Sequence, residues 1–331
     1  MNTASLRAAR LILIAASIWA TGLASAQTAQ SYPSKPIKIV LGFPAGGDLE
    51  PIVRGLADHL TKLWGQPAVI EYKPGAQQRI AFDEVSRAAP DGHTLLMCSV
   101  GALAINPSLY PNLQYKVGEN IAPVSFLAST TTVLISGPKL GARSYSDVVA
   151  AARKSPGKIG YGSSGGVGNL THMVGQIFMS ETGLDLMHVP YKGTQGVVAD
   201  LLGGHVDLFF QPLPSARSYL SAHPDKVKAI AVTSLNRSPY MPDVPTLNEL
   251  GVKGFDVNSW FGLCTTGGTP KDIVKKIADA VADGERSGLA AKWREFGLTA
   301  RSTTPEQFTE MIRKEAAMWA KVIKDYGIKA D

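Results

Sequence analysis

From Ile37 onward, short apolar runs alternate with segments whose apolar residues recur at helical spacing, and few folds are open to a chain built that way. The spacing predicts a strand at 37–43, a glycine-containing turn, and a helix with Ile52, Leu56, Leu60 and Leu63 on one face and Pro51 in its first turn. A strand at 68–72, a helix near 78–88, a Pro90-Asp91-Gly92 turn and a strand at 94–98 follow. A second set begins after Pro138, with strands at 158–162, 186–189, 206–210 and 227–232 between helices at 145–154, 169–181, 195–202 and 214–222. After a strand-like run at 255–264 the chain turns helical, at 270–285, 289–296 and 305–324, the last with Phe308, Ile312, Trp319 and Ile323 on one stripe. Two βα sets predict an α/β fold of two lobes with a mainly parallel sheet. Such sheets bind ligands at the carboxyl ends of their strands, so facing lobes make the site a cleft.

The N-terminus reads as an address. Arg7 and Arg10 precede an apolar run at 11–19, and Ala24-Ser25-Ala26 is a small-residue cleavage site, so residues 1–26 are expected to be a signal peptide cut after Ala26. The run is short and interrupted by Ser17 and Thr21, unlike a spanning helix of about 20 apolar residues. The formal charge of +6 is mild and scattered, with pairs such as Lys275-Lys276 and Arg313-Lys314 on solvated helix faces, which argues against nucleic acid as a partner. The six histidines and two cysteines show no ligand spacing, so no metal and no cofactor is expected. Cys98 and Cys264 sit in apolar strands as buried thiols; a disulfide between them stays open.

Two strand-to-helix loops are rich in glycine. In Phe43-Pro44-Ala45-Gly46-Gly47-Asp48 the backbone amides can turn toward an anion at a helix N-terminus, or Asp48 can simply cap that helix. In Gly162-Ser163-Ser164-Gly165-Gly166-Val167-Gly168-Asn169-Leu170-Thr171-His172 the amides, with the hydroxyls of Ser163, Ser164 and Thr171, can hold a carboxylate without a full positive charge, while Asn169 or Thr171 can serve as a cap. The same stretch fits G-x-S-x-G with Ser164 as nucleophile. A hydrolase would need an acid and then a histidine downstream, and the pairs on offer are Asp185 with His188, or Asp200 or Asp207 with His223. His172 and His188 read as packed or hydrogen-bonded histidines, Trp260 and Phe261 as core or as cleft border, and Gln211 as a strand-end amide.

Eight motifs in register, among them Phe43-Pro44-Ala45-Gly46-Gly47, Ala89-Pro90-Asp91-Gly92-His93-Thr94-Leu95, Ile105-Asn106-Pro107-Ser108-Leu109-Tyr110, His188-Val189-Pro190-Tyr191-Lys192-Gly193 and Ser259-Trp260-Phe261-Gly262, resemble the Bug substrate-binding proteins of tripartite tricarboxylate transporters. The resemblance implies a type II periplasmic binding protein fold, with lobe 1 formed by 27–136 and 256–331 and lobe 2 by 137–255. It also implies a periplasmic monomer that hands a small carboxylate to the membrane subunits of a transporter. The expected contacts are Phe43, Ala45, Gly46, Gly47 and Asp48; Ser99, Gly101 and Ala102; Ser163, Ser164, Gly165, Asn169 and Thr171; Tyr191; and Gln211. A sensor that presents its ligand to a signalling partner is the alternative, with the Ser164 hydrolase behind it.

Three departures from the family pattern bear on the ligand. Asp48-Leu49-Glu50 stands where a small residue, Ser or Thr, then Asp is usual. Gln77-Gln78-Arg79 replaces two Gly and Asn, and Gln211 replaces a common Asp. Loss of that acid disfavours an amino acid, whose ammonium wants a carboxylate partner, although Asp48 can substitute. Arg79 is a carboxylate clamp if it points inward and a surface residue if outward. The expectation is an organic acid, dicarboxylic or larger and aromatic.

Overall fold

The first alternation folds as a parallel trio, with β1 (Ile37–Leu41) between β2 (Ala68–Tyr72) and β3 (Thr94–Ser99). The computed structural model describes residues 32–46 and 49–329; the 1–26 leader, Gly47 and Asp48 lie outside them, and the unit Lys35–Asp331 holds every element named here. Helix α1 (Glu50–Trp64) buries Ile52, Val53, Leu56, Ala57 and Leu60 against this trio. Leu63, expected on the same face, is instead 45% exposed, in the last turn of the helix, which ends two residues later at Gly65 in the left-handed conformation. Leu49, not Asp48, stands at its N-cap. Helix α2 (Arg79–Ser86) precedes β3, and a π-helical turn at Gly101–Ile105 runs into the short α3 (Asn106–Leu109).

The next element corrects the sequence reading. β4 (Ile121–Ser136) is a 16-residue strand where no strand was expected. Its first part pairs antiparallel with β9 (Asn258–Thr266), from Ile121 opposite Thr266 to Thr131 opposite Asn258. Its last five residues pair antiparallel with β7 (Leu208–Pro212) and β8 (Lys228–Val232). β4 therefore carries the chain from one half of the sheet into the other.

The second half repeats the parallel trio around β5 (Gly160–Ser163), which pairs with β6 (Met187–Pro190) and β7. Helices α4 (Tyr145–Lys154), α5 (Leu170–Thr182), α6 (Thr194–Gly203) and α7 (Leu213–Ala222) connect its strands. The strand order is β2-β1-β3-β9-β4-β7-β5-β6, so the sheet is parallel in its outer trios and antiparallel where β9 and β4 join them. That amends the mainly parallel expectation. The chain finishes with α8 (Lys271–Gly284), α9 (Ala290–Glu295), β10 (Thr299–Ala300), which pairs with β4, and α10 (Pro305–Asp325).

Helix α10 buries the four residues of its predicted stripe, Phe308, Ile312, Trp319 and Ile323, each stabilising by roughly 1.5–3 kcal/mol. Hydroxyls bind the crossing point of the two halves. Thr130 donates to Gly297 O at 3.1 Å, Thr131 accepts the Ser234 N–H at 3.2 Å, and Thr233 donates to Val257 O at 2.6 Å. Cys98 on β3 and Cys264 on β9 are free, buried thiols with sulfurs 3.1 Å apart.

Candidate functional site

Strand direction places the site. β3 and β4 are both antiparallel to β9, so they run the same way; β7 runs against β4. The carboxyl ends of the two trios therefore point at each other across the crossing point. Ser99, the last residue of β3, pairs with Phe261, which pairs with Ala128 of β4; Pro212, the last of β7, pairs with Thr132. The two strand ends lie four residues apart along β4, roughly 13 Å at strand rise, a span suited to a small molecule.

In the second half, Asn169 caps α5, its Oδ1 accepting the Thr171 N–H and the Thr171 hydroxyl, each at 2.9 Å. Thr171 Oγ1 in turn accepts the Ser164 N–H at 2.9 Å and lies 3.5 Å from the Ser164 hydroxyl. Gly166 and Gly168 take left-handed φ of 74° and 81°, which lets the loop fold back on the helix start. The Gly168 N–H donates to Nδ1 of His172 at 3.1 Å. Burial, reinforced by the His188 ring 4.2 Å away, depresses His172 to about 3, so it is neutral and brings no charge to the loop.

Buried Ser163 meets Nε2 of His188 at 2.7 Å and donates to Gly166 O at 3.3 Å. His188 thus bonds Ser163, which is not the serine that the G-x-S-x-G pattern would make the nucleophile. Ser164 bonds to Thr171 and not to a histidine. Among the described residues, only Ala76, Gln77 and Gln78 are non-glycine residues with left-handed φ, so Ser164 does not sit on a strained elbow. Gly162 has a packing reason, since a Cβ there would meet Val197 Cγ1 at 2.4 Å.

In the first half, Gly46 turns at φ 80°, with Phe43 half-buried and Ala45 exposed. Glu50 occupies the turn: it accepts from Gly46 N at 3.4 Å, Tyr72 OH at 2.7 Å and Arg54 at 2.5 Å. Burial opposes its charge, but these three partners together hold its carboxyl below the usual range. Ser99 accepts from Gln78 Nε2 at 2.7 Å, and Gly101 and the buried Ala102 follow it.

Gln77 reaches across. Its Nε2 donates to Gly165 O and, at 3.4 Å, to Val167 O, so the loop after β2 touches the loop after β5. Arg79 Nε donates to Ala76 O at 2.9 Å, and its guanidinium lies 4.2 Å above the Tyr110 ring. Tyr191 donates to Asp200 at 2.6 Å within its own half, and burial together with that carboxylate pushes its phenol up to about 12. Gln211, expected just past its strand, lies inside β7 opposite Val133; it is 1% exposed and its Oε1 has no partner among the described residues. Sequence reasoning noted Gln77 and Gln78 as departures without giving them a place in the site; the clue was side chains where the turn asks for glycine.

An open pocket of about 210 Å³ borders the crossing point, against Ser129–Thr131, Ser234, Tyr240 and Thr299, and its lining includes no residue of the two glycine loops. Its polar groups are engaged: Tyr240 OH donates to Leu298 O at 3.2 Å and Arg237 grips Glu249 at 2.9 Å. The facing loops, with their glycines and a buried acceptor, are the better candidate.

Known proteins resemble this chain over most of its length. The model of the tripartite tricarboxylate transporter family receptor matches residues 52–328. BugT of Bordetella pertussis is 32% identical over 321 residues, covering 96% of this chain and 98% of that protein. An R. palustris protein solved with adipate superposes with a TM-score of 0.84 at 31% identity, over 90% of this chain and 99% of that one. MatC from Rhodopseudomonas palustris with bound malate gives 0.79 at 27% identity, over 88% of this chain and 100% of that one. The fold is thus the two-lobed α/β fold of periplasmic binding proteins. The chain belongs to the tripartite tricarboxylate transporter receptor family: it is a periplasmic solute-binding protein that serves a membrane transporter, not an enzyme.

Proposed function

We propose that this receptor captures a small organic acid between the loops that follow β1 and β3 and those that follow β5 and β7. The opposed direction of β3 and β7 along β4 carries the reading, because it turns four loop-bearing strand ends toward one place. The acids held by the malate and adipate relatives support a carboxylate as the ligand class. The hydroxyls of Ser99, whose oxygen accepts from Gln78, and of Ser164 suit an anion that must later be released, since neither adds a full counter-charge. Lobe 1 is assigned to 27–136 and 256–331 and lobe 2 to 137–255. Export with cleavage after Ala26, a monomeric state and no nucleic-acid partner complete the proposal.

Calorimetric titration of the purified protein with mono- and dicarboxylates, aromatic acids and neutral sugars tests it. Binding of at least one acid class with no sugar binding is expected. Sugar binding without carboxylate binding would overturn the reading.

A further inference from the structure

Ala76, Gln77 and Gln78 hold left-handed φ of 46°, 54° and 68°, a conformation glycine adopts freely and β-carbon residues resist. Such strain persists where the surroundings enforce it. Here Asn106 Nδ2 grips Gln77 O at 3.0 Å while also donating to Tyr115 OH at 3.1 Å, and Arg79 Nε holds Ala76 O at 2.9 Å. What the braced turn keeps, and glycines would lose, is two amide side chains.

Both side chains enter the candidate site. Gln77 spans to the glycine loop of the other half. Gln78 packs where the turns after β1 and β3 converge: a Cβ on Gly42 would lie 2.8 Å from Gln78 Cβ, and one on Gly101 would lie 3.9 Å from its Nε2. It is 7% exposed, its Nε2 donates to Ser99, and its Oε1 is buried without a partner among the described residues. Gln211 presents the same feature from β7 in the other half.

We propose that Gln78 is a specificity-determining residue whose Oε1 selects a carboxylate that also carries a neutral hydrogen-bond donor, a hydroxyl in the first instance, with Gln211 Oε1 as a second acceptor across the cleft. This rests on the carboxylate reading of the site. A buried acceptor left unpaired is unfavourable, and an ionised carboxylate brings it no proton. A hydroxyl beside the acid group does. An ammonium is disfavoured, because both acceptors are uncharged and Glu50, the acid at the β1 turn among the described residues, is engaged by Tyr72 and Arg54. A site that hydrogen-bonds a ligand hydroxyl discriminates strongly against the analogue lacking it.

The test uses three matched pairs that differ by one hydroxyl: lactate and propionate, malate and succinate, mandelate and phenylacetate. Dissociation constants are measured for the wild type and for Gln78→Gly. In at least one pair the wild type is expected to prefer the hydroxylated member about tenfold or more. In Gln78→Gly that ratio falls toward one, chiefly through weaker binding of the hydroxylated acid. Glycine takes φ 68° without strain, so the variant is expected to melt no lower than the wild type, which separates lost selectivity from lost folding. Equal binding within every pair that binds, or an unchanged ratio in Gln78→Gly, overturns the role of Gln78 and leaves the carboxylate reading intact. Failure of every acid, in these pairs and in the wider panel, overturns the carboxylate reading and this inference with it.

Discussion

His172 shows how a single side chain ties the glycine loop to the pH of the surroundings. In the unfolded chain it titrates near 6.5, whereas in the fold burial and the adjacent His188 hold it neutral down to about 3. Between those values the unfolded state binds the extra proton, so stability is lost as pH falls through 6.5. By about pH 5 the loss is roughly 2 kcal/mol. Denaturant titrations at about pH 8 and about pH 5 check this, and His172→Asn, which keeps an acceptor for the Gly168 N–H, is expected to flatten the difference. A wild type equally stable at both would contradict the assignment. The thiols give a second check at this scale. Burial raises the Cys98 thiol far above its ordinary range, so a thiol reagent at neutral pH is expected to find no reactive cysteine in the native protein and two after denaturation. A count of zero in denaturant would mean the pair is oxidised.

Among the elements, β4 and β9 hold the two halves together, and their packing tolerates little change. A Cβ on Gly262 of β9 would meet Phe308 Cζ of α10 at 2.2 Å, so Gly262→Ala is expected to destabilise by about 1–3 kcal/mol through overpacking, read as a lowered denaturation midpoint. Midpoints equal within error would place α10 differently. β4 was also the element least legible in the sequence. Ser125 and Ser129 to Thr132 break its apolar pattern, and distant partners take up part of that polarity: Ser125 donates to Thr303 O, Thr130 to Gly297 O, and the Thr132 N–H to Thr233 Oγ1, while Thr132 Oγ1 is buried without a partner among the described residues. The βα alternation, by contrast, was readable nearly strand by strand, because β1, β3 and β7 are short, largely buried apolar runs and the partly exposed edge strands β2 and β6 fall between clear helical patterns. The Asn169 cap was readable too, since Asn before an apolar helix start is a local signal. The left-handed Gln77-Gln78 turn was not, because its geometry is imposed by Asn106, far along the chain.

At the scale of the whole molecule, the contact from Gln77 to Gly165 and Val167, with Leu109 close against Gly168, joins loops from opposite halves of the sheet. Replacing Gln77 with Gly removes the bridging amide and relieves the backbone at φ 54°. The variant is expected to be more open in solution without ligand, seen as a larger radius of gyration by small-angle scattering; an unchanged radius would show that the bridge does not hold the halves together. Whether one guest engages both halves is answered most directly by amide NMR during titration with an acid that binds. Shifts are expected at Gly46, Ser99 and Gly101 in one half and at Ser164, Gly165 and Gln211 in the other, saturating together. Shifts confined to one half, or centred on Ser129–Thr131 and Tyr240 with none in the glycine loops, would contradict a ligand held between those loops.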